Sequence, residues 1–370
     1  MDQVRFGRLL EIILRSFLPN AARHKAFPLR RARWTYFDRV SAFLGCLALL
    51  GLAACGNPDA SSGKRESLTI AEAGQPAFAL LYVADAKGYL KEAGLDVTFQ
   101  TFALGRDALN SVLEGKADVA TVFETPVVMR IYEGKDLVVL STLHTSSRNQ
   151  VILARRDRGI AKPTDLRAKK IGVTGGATTE YVLASFLATE GIAASSIAAV
   201  NVEPPDYEKA LTEGTIDALV TFSPHTFELR RKLGDQVVTF YNSAYFEASM
   251  LVGNRALLTT KPEAATRLLK AIVRAQDFVE RNKEESIGIV VARLAGRAQE
   301  ATIRESWDVI HAEAKLDQAL LSIMNLEAKW LYDSGRVSGP IPDFSRAMAT
   351  DALRRVRPKS VTLPADLPLR

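Results

Sequence analysis

The feature that most constrains the fold is a ten-residue segment that occurs twice. Residues 114–123 read EGKADVATVF, and residues 213–222 read EGTIDALVTF. In each copy a glycine ends a helix-like stretch, an aspartate follows, and a short apolar run ends in phenylalanine. A glycine at this position is typical of a helix end, and a short apolar run is typical of a buried strand. The repeat predicts two similar lobes, with the polar, proline-bearing segments that follow each copy facing one cleft.

The N-terminal segment has the pattern of a secretory leader. An apolar run at 40–54 follows four arginines between positions 30 and 39 and is too short to span a bilayer as a helix. It ends in LAACG, which resembles the bacterial lipoprotein box, so we expect residues 1–54 to be a signal peptide and Cys55 to carry the lipid. Residues 55–65 then form a tether. An uncleaved anchor helix, or a leader with an incidental cysteine, is the alternative.

Removing this leader changes the charge balance of the chain. Residues 1–54 hold nine Lys or Arg and three Asp or Glu, so the remaining chain carries 39 residues of each sign. A neutral balance gives no support for binding nucleic acid. Of the two cysteines, Cys46 lies in the leader and Cys55 is the expected lipid site. We therefore expect no disulfide, no metal and no cofactor in the folded part.

The rest of the chain alternates short apolar strands with helices. Predicted strands include 95–102, 118–122 and 170–173, and helices follow or precede them at short spacing. This alternation is typical of an α/β sheet packed between helices, and it starts again after residue 160. From residue 261 onward the pattern is helical, and the C-terminal tail from 341 to 370 is expected to be extended.

The order of several short motifs resembles a known family, the nitrate, taurine and sulfonate type of solute-binding protein that serves ABC importers. The motifs that carry the resemblance lie at residues 88–97, 114–118, 165–173 and 213–218. The resemblance implies an α/β periplasmic-binding-protein type II fold, with lobe 1 at 66–155 and 246–340, lobe 2 at 156–245, and a two-segment hinge. It implies a small-molecule solute with an ABC permease and ATPase as partners. Together with the expected lipid on Cys55, this predicts a location on the periplasmic face of a bacterial membrane, held there by the lipid alone.

In lobe 2 a glycine-rich loop precedes a predicted helix. Gly176, Thr178 and Thr179 are candidate solute contacts, because unpaired backbone N–H groups and two hydroxyls at a helix start suit an anion or a carbonyl. The alternative is that one threonine only caps the helix.

Glu124 and Thr125 follow the strand of the first repeat copy and are candidate contacts from lobe 1. A carboxylate in the cleft would repel a sulfonate or nitrate and favour a solute with N–H donors, such as a pyrimidine. The alternative is that Glu124 pairs with an arginine such as Arg130.

Five further residues complete the candidate site. His144 and Ser223 follow predicted strands, although a lone histidine is more often structural. Aromatic and amide side chains are common in ligand clefts, which adds Gln75, Phe78 and Phe222.

The sequence leaves two other functions open. One is an exported sensory domain of the same fold, and the other is an enzyme like the pyrimidine synthase that shares this fold. No nucleophile elbow and no metal-ligand spacing of histidines occurs in the sequence, so catalysis is not expected.

Overall fold

The protein is described here by a computed structural model that covers residues 65–363. Within these residues ten strands form two five-stranded sheets. The strands are β1 Glu66–Ala73, β2 Leu95–Phe102, β3 Val119–Phe123, β4 Leu137–Ser146, β5 Val151–Arg155, β6 Lys170–Val173, β7 Ala198–Asn201, β8 Ala218–Thr221, β9 Val237–Tyr241 and β10 Glu247–Asn254. The expected α/β fold with two lobes is confirmed.

The α-helices cover the faces of these sheets. In chain order they are α1 Ala79–Ala86, α2 Tyr89–Glu92, α3 Gly105–Leu113, α4 Glu124–Tyr132, α5 Thr178–Thr189, α6 Tyr207–Thr212, α7 His225–Leu233, α8 Leu257–Thr260, α9 Pro262–Arg281, α10 Lys283–Arg293, α11 Glu300–Trp307, α12 Gln318–Asp333 and α13 Thr350–Val356. Helices α5 to α7 belong to the second sheet and form lobe 2 with it. The other helices and the first sheet form lobe 1.

The two sheets have the same topology. The first has the order β2-β1-β3-β10-β4, and the second has the order β7-β6-β8-β5-β9. In each sheet the fourth strand is antiparallel to its neighbours, while the central strands pair in parallel. That antiparallel strand is β10 in lobe 1 and β5 in lobe 2, and each follows a chain segment that crosses between the lobes. The crossings therefore lie at 147–150 and 242–246.

The sequence repeat has a structural cause in this topology. The backbone N–H of Asp118 donates to the Thr69 carbonyl oxygen at 2.8 Å, and the Asp118 carboxylate accepts from the Thr69 N–H at 2.8 Å. Asp217 forms the same pair of hydrogen bonds with Lys170, at 2.8 and 2.9 Å. Each aspartate thus joins the start of the third strand of its sheet to the neighbouring second strand. The carboxylate bond is charge-assisted and therefore stronger than a neutral one.

Some boundaries differ from those expected. Helix α4 begins directly after β3, where a loop was expected, and α7 begins at His225 after the second copy. The C-terminal tail is not extended, because a 3₁₀ turn at Phe344–Ala347 and helix α13 lie within it. Strand β5 pairs in the second sheet, whereas residues up to 155 were expected in lobe 1. Cys55 and the expected leader lie outside the described residues.

Each lobe has its own apolar core. The larger core joins the first sheet to helices from both ends of the described chain, and two smaller clusters cover the faces of the second sheet. Between residues 65 and 363, no helix combines the length and the apolar character that a membrane crossing requires.

Candidate functional site

A cavity of about 30 Å³ lies between the lobes at the ends of the repeated strands. This is room for one or two water molecules, so the lobes lie close together here. Lobe 1, the first crossing and lobe 2 all contribute to its walls. The lining residues are Gln75, Leu104, Gly105, Arg106, Phe123, Pro126, Gln150, Ala177, Thr178, Thr179 and Phe222.

The last residue of each repeat copy lines this cavity. Phe123 comes from lobe 1 and Phe222 from lobe 2, and both are almost fully buried. Phe123 also packs in the lobe 1 core, with its ring centroid 5.9 Å from that of Phe78. The two copies thus end at one cavity, but of the segments that follow them only the first contributes a lining residue, Pro126.

Two helices begin at the cavity, one from each lobe. The first N–H groups of a helix have no acceptor within it and carry partial positive charge. Gly105 begins α3, and a Cβ there would lie 2.9 Å from the Val122 Cα, so only glycine allows this close approach. On the opposite wall Thr178 begins α5. These helix ends provide donors from both sides.

Arg106 adds a positive charge beside the start of α3. Its guanidinium donates to the Gly175 carbonyl oxygen and, at 2.8 Å, to the Glu203 carboxylate, both in lobe 2. Burial lowers the pKa of the guanidinium, and the carboxylates of Glu203 and Asp107 raise it by more. Arg106 therefore lines the cavity and joins the two lobes across it.

Two amide oxygens supply acceptors to the same cavity. Gln75 and Gln150 are each 5% exposed, and the Oε1 atom of each has no hydrogen-bond partner among the described residues. Buried polar atoms are nearly always hydrogen-bonded to protein or water, so these oxygens are acceptors available to water or to a solute. The cavity thus combines apolar rings with both donors and acceptors.

Glu124 does not line the cavity. It is fully buried, and its two carboxylate oxygens accept from the Tyr245 hydroxyl and, at 3.2 Å, from the Ala248 N–H. Burial raises the pKa of Glu124 to about 7 against these two hydrogen bonds. The expected alternative partner was wrong, because the Arg130 guanidinium donates to Glu133 and Asn110 instead. The expected direct repulsion of an anionic solute by Glu124 has no basis in this arrangement.

Two further carboxyl groups lie buried near Glu124. Burial raises the pKa of Glu247 well above its usual range, and the charge of Glu124 adds to this. The same two causes raise the pKa of Glu327. His144 lies next to this group, with Nε2 3.4 Å from a Glu247 oxygen, and burial lowers its pKa to about 3. His144 is therefore a neutral buried residue.

The remaining candidates divide between the cavity wall and the interior. Gln75, Thr178, Thr179 and Phe222 line the cavity. Five candidates are buried and do not line it: Phe78, Glu124, Thr125, His144 and Ser223. Gly176 is partly exposed and does not line it either.

The loop before α5 uses most of its polar groups internally. The Gly176 N–H donates to the Glu180 carboxylate at 2.9 Å, so it is not free for a ligand as expected. The Thr179 hydroxyl bonds with the backbone of Thr174. Neither threonine caps the helix through its side chain, because the N-cap residue is Ala177. Thr178 and Thr179 are the first two residues of the helix, and both line the cavity.

The sequence reasoning missed several lining residues. Gln150 was assigned only as a strand residue, Arg106 only as the start of a helix, and Gly105 to no element. A signal was available for the latter pair, because a glycine before a helix that follows a strand repeats the pattern used to select Gly176. The remaining ones are Leu104, Phe123, Pro126 and Ala177.

Comparisons with known proteins agree with this geometry. A family described as NMT1/THI5 like matches residues 75–286, more than half of the chain. A binding protein of Brucella abortus is 23% identical over 211 residues, which cover 56% of this chain and 65% of that protein. The chain thus spans less than two thirds of the length of this relative. The formylaminopyrimidine-binding protein of Halalkalibacterium halodurans is 23% identical, over 66% of this chain and 76% of that protein.

Among solved structures, the alkanesulfonate-binding protein SsuA of Xanthomonas axonopodis pv. citri, bound to MOPS, superposes with a TM-score of 0.67. It is 17% identical, and the match covers 78% of this chain and 99% of that one. This likeness establishes the fold, which is that of the periplasmic binding proteins.

Proposed function

Because this chain belongs to the NMT1/THI5-like family, we propose that it is an extracytoplasmic solute-binding protein that captures a small organic solute between its two lobes. The observation that carries the proposal is the cavity at the matching ends of β3 and β8, to which both lobes contribute. A solute there gains contacts from both lobes only when they close, so binding and closure are coupled. The named relatives, which are binding proteins, support a binding role over a catalytic one.

The chemistry of the walls supports an organic solute with a flat or apolar part. The rings of Phe123 and Phe222 provide the apolar surface, and the amides of Gln75 and Gln150 provide polar groups. Small-molecule sites commonly combine aromatic walls with a few polar groups that fix orientation. Thr178, Thr179, Phe222 and Gln75 are the expected residues that we retain as direct contacts.

The proposed partner is an ABC permease with its ATPase, which would recognise the closed form. The leader-like segment supports export and attachment to the periplasmic face of a bacterial membrane by a lipid on Cys55. Mass spectrometry of the mature N-terminus would test that attachment, since a chain that retains residues before Cys55 would contradict it.

A thermal-shift screen tests solute binding. The protein from about residue 60 is heated with sulfonates, nitrate, pyrimidines, purines and polyamines, and we expect an organic nitrogen-bearing solute to raise Tm with its concentration. A ligand that binds only the folded state stabilises it according to its concentration relative to Kd. Replacing the cavity threonine in Thr178→Val should weaken binding about fivefold to tenfold, the usual value of one hydrogen bond.

The matched control is Thr189→Val at the other end of α5, where the hydroxyl bonds within the helix. It should leave the affinity unchanged. Equal affinities for the two variants would contradict the placement of the solute in this cavity. A screen in which no solute shifts Tm would count against solute binding itself.

A further inference from the structure

The amide of Gln150 is held from behind by a buried carboxylate. Its Nε2 donates to Oε2 of Glu247 at 2.8 Å, while its Oε1 has no partner among the described residues. Gln150 belongs to the first crossing and lines the cavity, whereas Glu247 begins β10 and is 1% exposed. The nitrogen end of the amide is therefore occupied inside the protein, and the oxygen end is the one left for a solute.

The orientation of Glu247 is fixed by a second amide. Its Oε1 accepts from Nδ2 of Asn149 at 2.6 Å, and Oδ1 of Asn149 accepts from the Ser223 N–H at 3.2 Å. Because the backbone N–H of Ser223 can only donate, it fixes which end of the Asn149 amide faces Glu247. A chain of hydrogen bonds thus runs from the loop after β8 through both crossing residues to the cavity.

We propose that Glu247, in its ionised form, is a positioning residue that turns the Gln150 carbonyl oxygen toward the cavity, so that the site then selects solutes carrying an N–H or O–H donor. This inference rests on the proposed function of solute binding. The unpaired Oε1 of Gln75 lies on the same cavity and adds a second acceptor. The selected class comprises amines, amides and ring N–H compounds, and solutes with acceptors alone are disfavoured.

The physical reason is the cost of an unpaired buried acceptor. A solute without a donor would displace water from Gln150 and leave its oxygen without a hydrogen bond, which lowers affinity about tenfold or more. The expected preference for donor-bearing solutes thus has a basis in Gln150, where the sequence suggested Glu124.

The isosteric variant Glu247→Gln tests the positioning role. Its carbonyl oxygen must still accept from Asn149, so its amide nitrogen faces Gln150 and can only donate. Gln150 must then turn its own oxygen inward and present its nitrogen to the cavity. The affinities of two matched pairs are measured by calorimetry at alkaline pH, so that Glu247 is ionised in the wild type. The pairs are 4-aminopyrimidine with pyrimidine, and taurine with ethanesulfonate.

For any pair that binds, we expect the wild type to bind the amino member about tenfold more tightly than the other member. Glu247→Gln should abolish or reverse this preference, whereas a merely structural defect would weaken both members equally. The control is Glu327→Gln, which makes the same change at another fully buried carboxyl group without a hydrogen bond to a cavity residue. It should keep the preference.

A second variant, Gln150→Met, keeps the size of the side chain and removes the acceptor, which provides a test even if Glu247→Gln does not fold. It should lose the preference for the amino member. The inference is overturned if the wild type binds both members of a pair equally. It is also overturned if Gln150→Met or a folded Glu247→Gln retains the preference. In each case the proposed function of solute binding still stands. A wild type that binds no member of either pair and no solute of the thermal-shift panel overturns the proposed function instead.

Discussion

The two segments that follow the repeat copies are anchored in opposite ways. After Phe123 comes Glu124, whose carboxylate is held by Tyr245 and Ala248, in the second crossing and at the start of β10. After Phe222 comes Ser223, whose N–H is held by Asn149 in the first crossing. Each lobe thus ties the end of its third strand to a different segment of the hinge. The repeated segment forms the same strand in both lobes. The residue after each copy, Glu124 or Ser223, determines how that lobe is attached to the hinge.

The two attachments differ in charge. Ser223 is neutral and its attachment uses the backbone, whereas Glu124 brings an ionisable side chain into a site with no solvent access. Burying a carboxylate is costly, so the neutral acid is favoured in the folded state. The hinge attachment of lobe 1 should therefore respond to pH through Glu124 itself, whereas Ser223 brings no titratable group of its own to the attachment of lobe 2.

The largest expected effect is the pH dependence that Glu124 contributes to stability. Its folded pKa of about 7 lies above its ordinary value of 4.5, so the folded state binds the proton more tightly. Stability from this group is therefore present at low pH and is lost as pH rises from about 4.5 to about 7, by roughly 3 kcal/mol. Urea unfolding at several pH values should show this loss in the wild type, and Glu124→Gln should reduce it.

The contribution of Glu124 is the difference in unfolding free energy between the wild type and Glu124→Gln at each pH. This difference is needed because the pKa values of Glu247 and Glu327 are raised as well. Ser223→Ala is the control from the other lobe and should follow the wild-type pH profile. A difference between the wild type and Glu124→Gln that stays constant with pH would show that Glu124 is ionised at neutral pH when buried.

A smaller effect is expected from the two glycines near the cavity. In Gly105→Ala the new Cβ would lie 2.9 Å from the Val122 Cα and 3.2 Å from the Thr121 carbonyl oxygen, and backbone atoms cannot easily move away. Overpacking of this kind costs about 1–3 kcal/mol. In Gly176→Ala the nearest atom is 3.9 Å away, and the cost comes from the backbone φ of +67°, about 1 kcal/mol. Urea unfolding of both variants should rank Gly105→Ala as the more destabilised.

The reverse ranking would mean that the backbone at the start of α3 adapts to an added Cβ at a lower cost than the backbone of the loop before α5. Gly288→Ala is a useful reference, because a Cβ there meets open space inside α10. Alanine favours helix over glycine by about 1 kcal/mol, so that variant should be slightly stabilised.

Local patterns predicted much of the scaffold but little of the hinge. The bounds of β2 and β6 agree with the predicted strands because alternation and flanking turns are encoded within a few residues. The burial of Glu124 depends on Tyr245, which is 121 residues away in the chain, and no local pattern reports such a contact. Helix α7 was missed because its sequence, HTFELRRKL, is mostly polar and follows a proline.

The same limit explains the incomplete site. Phe222 was recognised as a lining residue because it is the last residue of a repeat copy, where the sequence predicts a strand end. Gln150 was not, because its role depends on Glu247, which is distant in sequence. The two lobes could therefore be predicted from the repeated sequence pattern, whereas the roles of the segments that join them could not.

The smallest expected effect concerns the ion pair between Arg106 and Glu203, which joins the lobes beside the cavity. These side chains are 25% and 38% exposed, and an ion pair of this kind contributes about 0.2–1 kcal/mol. Since the pair spans the lobes, Arg106→Ala should weaken solute binding up to about fivefold with little change in the unfolding of either lobe. Calorimetric titration of a solute from the thermal-shift screen measures this effect.

The variant Glu203→Gln separates the two possible roles of Arg106. Glu203 does not line the cavity, so it can affect binding only through closure of the lobes. If Arg106 acts as a link between the lobes, the double variant should bind as weakly as Arg106→Ala alone. If Arg106 contacts the solute directly, Glu203→Gln should leave the affinity nearly unchanged while Arg106→Ala lowers it. The first result would make Arg106 a connection between the lobes, and the second would place it with the amides of the cavity wall.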